Sequence, residues 1–166
     1  MEFDAGDYVV HPSYGVGSIL RLEEKRLAET EMRLYYVLAV ENSTVWVPVN
    51  STGAIGLRRV TPKQELEQYR RILKSKPTVR DRDHHKRRLE INERLKRGSF
   101  LALCEVTRDL TAHGWHKPLN DVDASMLHKV RDNLCREWAA SEGVTVADVA
   151  REVDDLLHVA QEAYKA

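Results

Sequence analysis

The sequence predicts an α+β protein, a small N-terminal β-barrel followed by a C-terminal five-helix domain, and three observations carry that expectation. Short runs of β-branched and aromatic residues, separated by turn formers, recur five times before residue 60. At Thr61-Pro62 the apolar period changes from two to three or four. Beyond that point apolar stripes at helical spacing continue to Tyr164, with a breaker between each and the next. The chain is therefore expected to divide into residues 1–60 and 61–166.

The first strand is expected at Tyr8–His11 and the second at Gly17–Leu22, joined by a turn at Pro12-Ser13-Tyr14-Gly15. Gly15 and Gly17 fall on one face, where a missing Cβ permits a sharp bend or the close approach of another backbone. Glu23–Arg33 is charged and reads as an exposed hairpin loop. Leu34–Val40 and Thr44–Val49 are the next strands, with Glu41-Asn42-Ser43 turning between them, and Ile55–Arg58 is a short fifth. Strands this short and this numerous suit a barrel, which shortens or removes exposed edges.

Thr61, Pro62 and Gln64 read as a capping-box start for a helix that runs to about Ser75, and Pro77 ends it. A second helical pattern, sparse in apolar residues, spans Val79 to Lys96 and stops at Gly98. Ser99 caps a third, with its stripe at Phe100, Leu103, Val106 and Leu110. The fourth carries Leu127, Val130, Leu134 and Trp138 and ends at Gly143; the fifth opens at Thr145 and carries Val149, Val153, Leu156, Ala160 and Tyr164. Five stripes of this kind make a compact bundle.

The run GDYVVHPSYGVGSI, followed by Tyr35-Tyr36-Val37 and Trp46-Val47-Pro48, resembles the opening of the CarD/CdnL family of bacterial transcription regulators. Its module is Tudor-like and shared with the transcription-repair coupling factor. The helical half resembles the same family around Leu95–Leu110 and Leu127–Asp148. The resemblance implies a regulator whose Tudor-like β-barrel docks on the RNA polymerase β subunit. Its helical domain then touches promoter DNA near the upstream edge of the transcription bubble, stabilising the open complex. It also implies a polymerase-binding surface around Lys25, Arg26, Arg33, Tyr36, Trp46, Val47 and Pro48, used partly through a strand edge. Trp46 lies between Val45 and Val47 and so faces away from both: either it packs inside while they face out, or it is an exposed anchor.

Net charge is formally zero, yet its distribution is uneven. Residues 61–100 hold thirteen Lys and Arg against six Asp and Glu, whereas residues 101–166 hold seven against twelve. Such asymmetry points to a localised anionic partner. The densest run, RDRDHHKRR, supplies Arg80, Arg82, His84, His85, Lys86, Arg87 and Arg88 as candidate DNA contacts, phosphate-directed and largely indifferent to sequence. Many relatives place a wedging tryptophan at the start of this helix; here that position is His84, which presents less apolar area. Trp115 is a candidate substitute, although an ordinary loop aromatic covering the bundle is the favoured reading.

Several classes are excluded or disfavoured. Cys104 and Cys135 are isolated and read as buried small hydrophobes, and the seven histidines lack metal-ligand spacing, so neither a metal nor a cofactor is expected. Gly15-Val16-Gly17 lacks the third glycine of a dinucleotide fingerprint, and no nucleophile sits with a base, so an enzyme is not expected. No apolar run approaches the length of a membrane span. The expectation is a cytoplasmic monomer associated with the nucleoid through polymerase. An adaptor that binds polymerase without touching DNA is the alternative.

Overall fold

The computed structural model describes residues 2–26, 28–29, 31–78 and 82–165. Two compact units divide at residue 60, the first of them a sheet and the second a set of helices.

Five antiparallel strands form the first unit: β1 (Tyr8–His11), β2 (Gly15–Lys25), β3 (Arg33–Val40), β4 (Ser43–Pro48) and β5 (Arg58–Arg59). They lie in the order β4-β3-β2-β1-β5. The sheet does not close, which corrects the expected barrel. The reason lies in β5, only two residues long, which pairs with β1 through Arg58 and Arg59 and leaves β4 as the opposite margin. A second difference is that Thr52–Ile55 forms the single-turn helix α1, so the fifth strand starts later than its apolar residues suggest. Leu57 and Ile55 pack into the core from this segment.

β2 is longer than expected and absorbs Glu23–Lys25, because these residues pair with β3 in the register Glu23 to Tyr35 and Lys25 to Arg33. Its register shifts between Ile19 and Arg21, where Leu20 is the extra residue of a bulge. Were β2 regular here, Ile19 and Leu22, three positions apart, would fall on opposite faces. With the bulge, Ile19 opposes Leu38 and Leu22 opposes Tyr36, so the two share a face, Ile19 buried in the core and Leu22 still exposed. The core is Phe3, Val9, Ile19, Tyr36, Leu38, Val47 and Leu57. Gly17 is required by close approach: a Cβ there would stand 2.7 Å from the carbonyl oxygen of Ala39.

Six α-helices occur among the described residues, α1 and five in the second unit. These five are α2 (Leu66–Lys74), α3 (His84–Lys96), α4 (Phe100–His113), α5 (Asp121–Glu142) and α6 (Val146–Tyr164). Helices α4 and α6 start at the expected caps, where Ser99 accepts from Ala102 N–H and Thr145 from Asp148 N–H, and α5 starts at Asn120, which accepts from Asp123 N–H. Gly143, at φ 76°, closes α5 in the left-handed conformation that favours glycine. Thr61 does not cap α2. Its N–H and hydroxyl both donate to buried Glu137 Oε2 on α5, at 2.9 and 2.8 Å, and Ser141 donates to its carbonyl. The first residue of the second unit is thus fastened to the long helix.

The main helical core joins Leu66 and Leu73 of α2, Phe100 and Cys104 of α4, Leu134, Cys135 and Trp138 of α5, and Val149, Val153 and Leu157 of α6. Helix α3 has little share in it. Ile91 packs with Val106, Leu110 and Val130 in a separate small cluster, with half-buried Leu95 against it, and polar contacts supply much of the remaining anchoring of α3. Among the described residues, no helix is long and apolar enough to cross a membrane.

Candidate functional site

Strand alternation sorts the candidate docking residues of the first unit into two groups. Lys25, Arg33, Trp46 and Pro48 share one face of the sheet with Arg21, Glu23, Tyr35 and Val37, as the ladder pairs Arg21–Val37–Trp46 and Glu23–Tyr35–Pro48 require. Tyr36 and Val47 point to the other face and are core residues, 0% and 1% exposed. Tyr36 uses its hydroxyl to accept from Phe3 N–H at 3.1 Å and meets the Phe3 ring edge-on. Neither side chain is available to a partner, because the hairpin needs both to hold its core. Arg26 lies just past the end of β2 and is exposed.

The two possibilities for Trp46 resolve the same way. Val47 packs inside and Val45 against the core, so the indole stands on the outer face, half-buried. Lys25 Nζ lies 4.0 Å from the ring centroid, and the indole N–H donates to Glu23 Oε2 at 3.1 Å. Arg21 reaches the same carboxylate oxygen at 3.2 Å. The Trp46 hydrogen bond, ahead of the neighbouring cations, holds the Glu23 carboxyl below its usual value despite some desolvation. Composition alone suggested a loop for Glu23; its role as the indole's anchor follows only from the register of β2.

β4 is the terminal strand of the sheet, so its outer margin is unpaired among the described residues. Pro48, at its end, and Arg33 line a surface cavity of about 420 Å³ together with Glu31, Met32, Leu34, Asn50 and Ser51. The unpaired margin, the oriented indole and this cavity adjoin one another along β3 and β4.

In the second unit the basic run is less open than its sequence suggests. Arg80 lies outside the described residues. Arg82, His84, His85 and Lys86 are exposed. Arg87 is 1% exposed, and its Nη2 donates to Asp123 Oδ2 at 2.5 Å in the first turn of α5. Arg88 is half-buried, with Nε 3.5 Å from Asp123 Oδ1 and Nη2 3.4 Å from Asn120 Oδ1. Arg87 is therefore no phosphate ligand: it is the internal counter-charge that docks α3 on α5. A signal for this was present, since Arg87 precedes buried Ile91 by one helical turn and must share its inward face. Asp123 and Asn120 carried no such signal.

The helix start is also occupied. Asp83 Oδ1 accepts from the N–H groups of His85 and Lys86, so these amides do not point outward for an anion. His84 Nδ1 faces Arg87 Nη2 at 2.7 Å and Asn120 Nδ2 at 3.3 Å. A guanidinium has only donors, so Nδ1 is the acceptor in the first contact and the imidazole proton sits on Nε2. For Asp123, burial raises the carboxyl, but the hydrogen bond and charge of Arg87, with those of Arg88, outweigh it and hold the group below 3.8. His113, closing α4, is pushed below 6.5 by burial first and then by the positive charge of Arg87.

Further along, Arg94 is paired with Glu105 and Arg70 is held by Glu67, Glu142 and Glu152. Trp115 is half-buried after the end of α4. Among the described residues no group of three or more His, Cys, Asp or Glu is placed to hold a metal ion.

Two family models match the chain: the CarD-like/TRCF RID domain over residues 3–61 and the CarD C-terminal domain over residues 68–154. A Bacillus subtilis (strain 168) protein whose name reads "Putative transcription factor YdeB" is 30% identical over 145 residues, covering 86% of this chain and 94% of that protein. The two matches follow the sheet unit and the helical unit in turn, and the relative spans both, so the chain belongs to the CarD-like family of transcription regulators.

Proposed function

We propose that the first unit holds RNA polymerase through its β subunit and that the second contacts promoter DNA near the upstream edge of the melted bubble. A strand of the partner adds to the open margin of β4, with Trp46 as anchor and Lys25, Arg26 and Arg33 as charged surroundings. The docking unit is Tudor-like in the loose sense of a small five-stranded antiparallel sheet with a bulge in β2. In the second unit Arg82 and Lys86 neutralise phosphates without reading bases, and exposed His85 lies between them in the same run. Contacts stronger with the melted promoter than with the closed one shift population toward the open complex, with no chemistry and no cofactor. The protein acts as a monomer, in the cytoplasm, on the nucleoid through polymerase.

The observation that carries the docking half is the unpaired outer margin of β4 beside an indole fixed by Glu23 and Lys25. The test is binding of the full chain to a β-subunit fragment, compared with Trp46→Ala. Loss of at least tenfold in affinity is expected from an interface anchor. Equal affinity removes Trp46 from the interface, and no binding by the unmodified chain removes the docking reading.

A second reading, an adaptor that binds polymerase without DNA contact, draws on a specific observation: Asp123 engages Arg87 and Arg88, and Asp83 occupies the helix start. DNA affinity measured against salt separates the two. A phosphate-contacting surface weakens steeply with salt; an adaptor has no such slope.

A further inference from the structure

Arg87 and Arg88 are neighbours in sequence and share one carboxylate on unequal terms. Arg87 is sealed with Asp123, each side chain 1% exposed, at 2.5 Å. Arg88 is 28% exposed, and both its contacts lie near the outer limit of a hydrogen bond, 3.5 Å to Asp123 Oδ1 and 3.4 Å to Asn120 Oδ1.

We propose that Arg88 is a transferable phosphate ligand, held at Asp123 and Asn120 in the free protein and handed to a phosphate of duplex DNA on binding, while Arg87 stays behind. This rests on the DNA-contact reading above and adds to it which cation moves and what restrains it.

Each residue that Arg88 would leave keeps another donor, although at Asp123 that donor sits on Oδ2 while Arg88 vacates Oδ1. Asp123 retains Arg87, so no buried charge is left uncompensated. Asn120 Oδ1 retains the N–H of Asp123 at 2.8 Å, so the cap of α5 survives. Departure of Arg87 differs in kind, because it would leave a buried carboxylate without its closest counter-charge. The destination suits the group. A guanidinium fork binds phosphate through two parallel N–H bonds, whereas its present contacts are long and made to two separate residues. Its neighbours along α3 fit a phosphate-facing rim, since His85, one turn earlier, is exposed. Asp123 and Asn120 thus act as positioning residues: they park the side chain in the free protein and set how readily it is released.

Labelled duplex DNA carrying a short unpaired bubble, titrated with the full chain over a range of KCl concentrations, tests this by anisotropy. Arg88→Gln should reduce the slope of log affinity against log salt by about one and weaken binding several-fold, with the melting temperature unchanged. Asn120→Ser, which keeps a capping oxygen but shortens the tether, should strengthen binding. An Arg88→Gln protein with the unmodified slope overturns the proposal alone, as does one that loses stability without losing slope. If the unmodified chain shows no salt-dependent binding, the DNA reading falls and takes this proposal with it.

Discussion

Arg87 and Asp123 lie 36 positions apart and meet at 2.5 Å with neither side chain more than 1% exposed. Helix α3 buries only Arg87 and Ile91, so this pair is a large part of what holds it against its neighbours. Asp123→Asn should destabilise the protein by about 3–5 kcal/mol, because it strands a buried guanidinium. Replacing both residues with apolar ones should recover much of that loss. Thermal melts of the single and double variants check it.

The same pair predicts an acid limb. The folded Asp123 carboxyl is held below its ordinary 3.8, so its contribution to stability is fully present above that value and is lost as pH falls through the lower folded one. Denaturant midpoints taken from pH 5 downward should show a drop that is absent in Asp123→Asn.

Gly17 illustrates a constraint of a different origin. Its φ is not positive; what forbids a side chain is the Ala39 carbonyl oxygen 2.7 Å from where a Cβ would sit, and the obstacle is backbone, which cannot swing away. Gly17→Ala should therefore cost about 1–3 kcal/mol by forcing β2 and β3 apart. Slower-exchanging amides of β3 losing protection would locate the damage.

Tyr36 and Trp46, although close in the sheet, should separate cleanly on mutation. Tyr36→Phe removes the acceptor for Phe3 N–H and should lower stability by about 1 kcal/mol while leaving polymerase affinity intact. Trp46→Ala should do the reverse. Denaturant melts alongside a β-subunit binding assay give both numbers for each variant.

Much of this architecture was legible in the chain. The apolar stripes and capping residues of α4, α5 and α6 are local signals, and Ser99, Thr145 and Gly143 stand where those signals put them. The sheet was harder. Glu23 and Lys25 look like loop residues because their charge is visible in sequence, whereas the partner strand that makes them outward-facing is not. The bulge at Leu20 disturbed the alternation that would have placed Leu22. A barrel was expected from strand number, but closure depends on strand length, and β5 spans only two residues. The basic arm was misjudged most, since a run of cations reveals nothing about a carboxylate more than thirty positions away. Arg87 alone could have been singled out, by its spacing from Ile91.

The division of labour between a polymerase-holding sheet and a DNA-touching helix is tested most directly by the lifetime of open promoter complexes challenged with heparin. The unmodified chain should lengthen that lifetime, and both Trp46→Ala and the Arg82→Ala, Lys86→Ala double variant should lose most of the effect, the first through polymerase and the second through phosphate. A double variant that prolongs the complex as well as the unmodified chain would contradict the account.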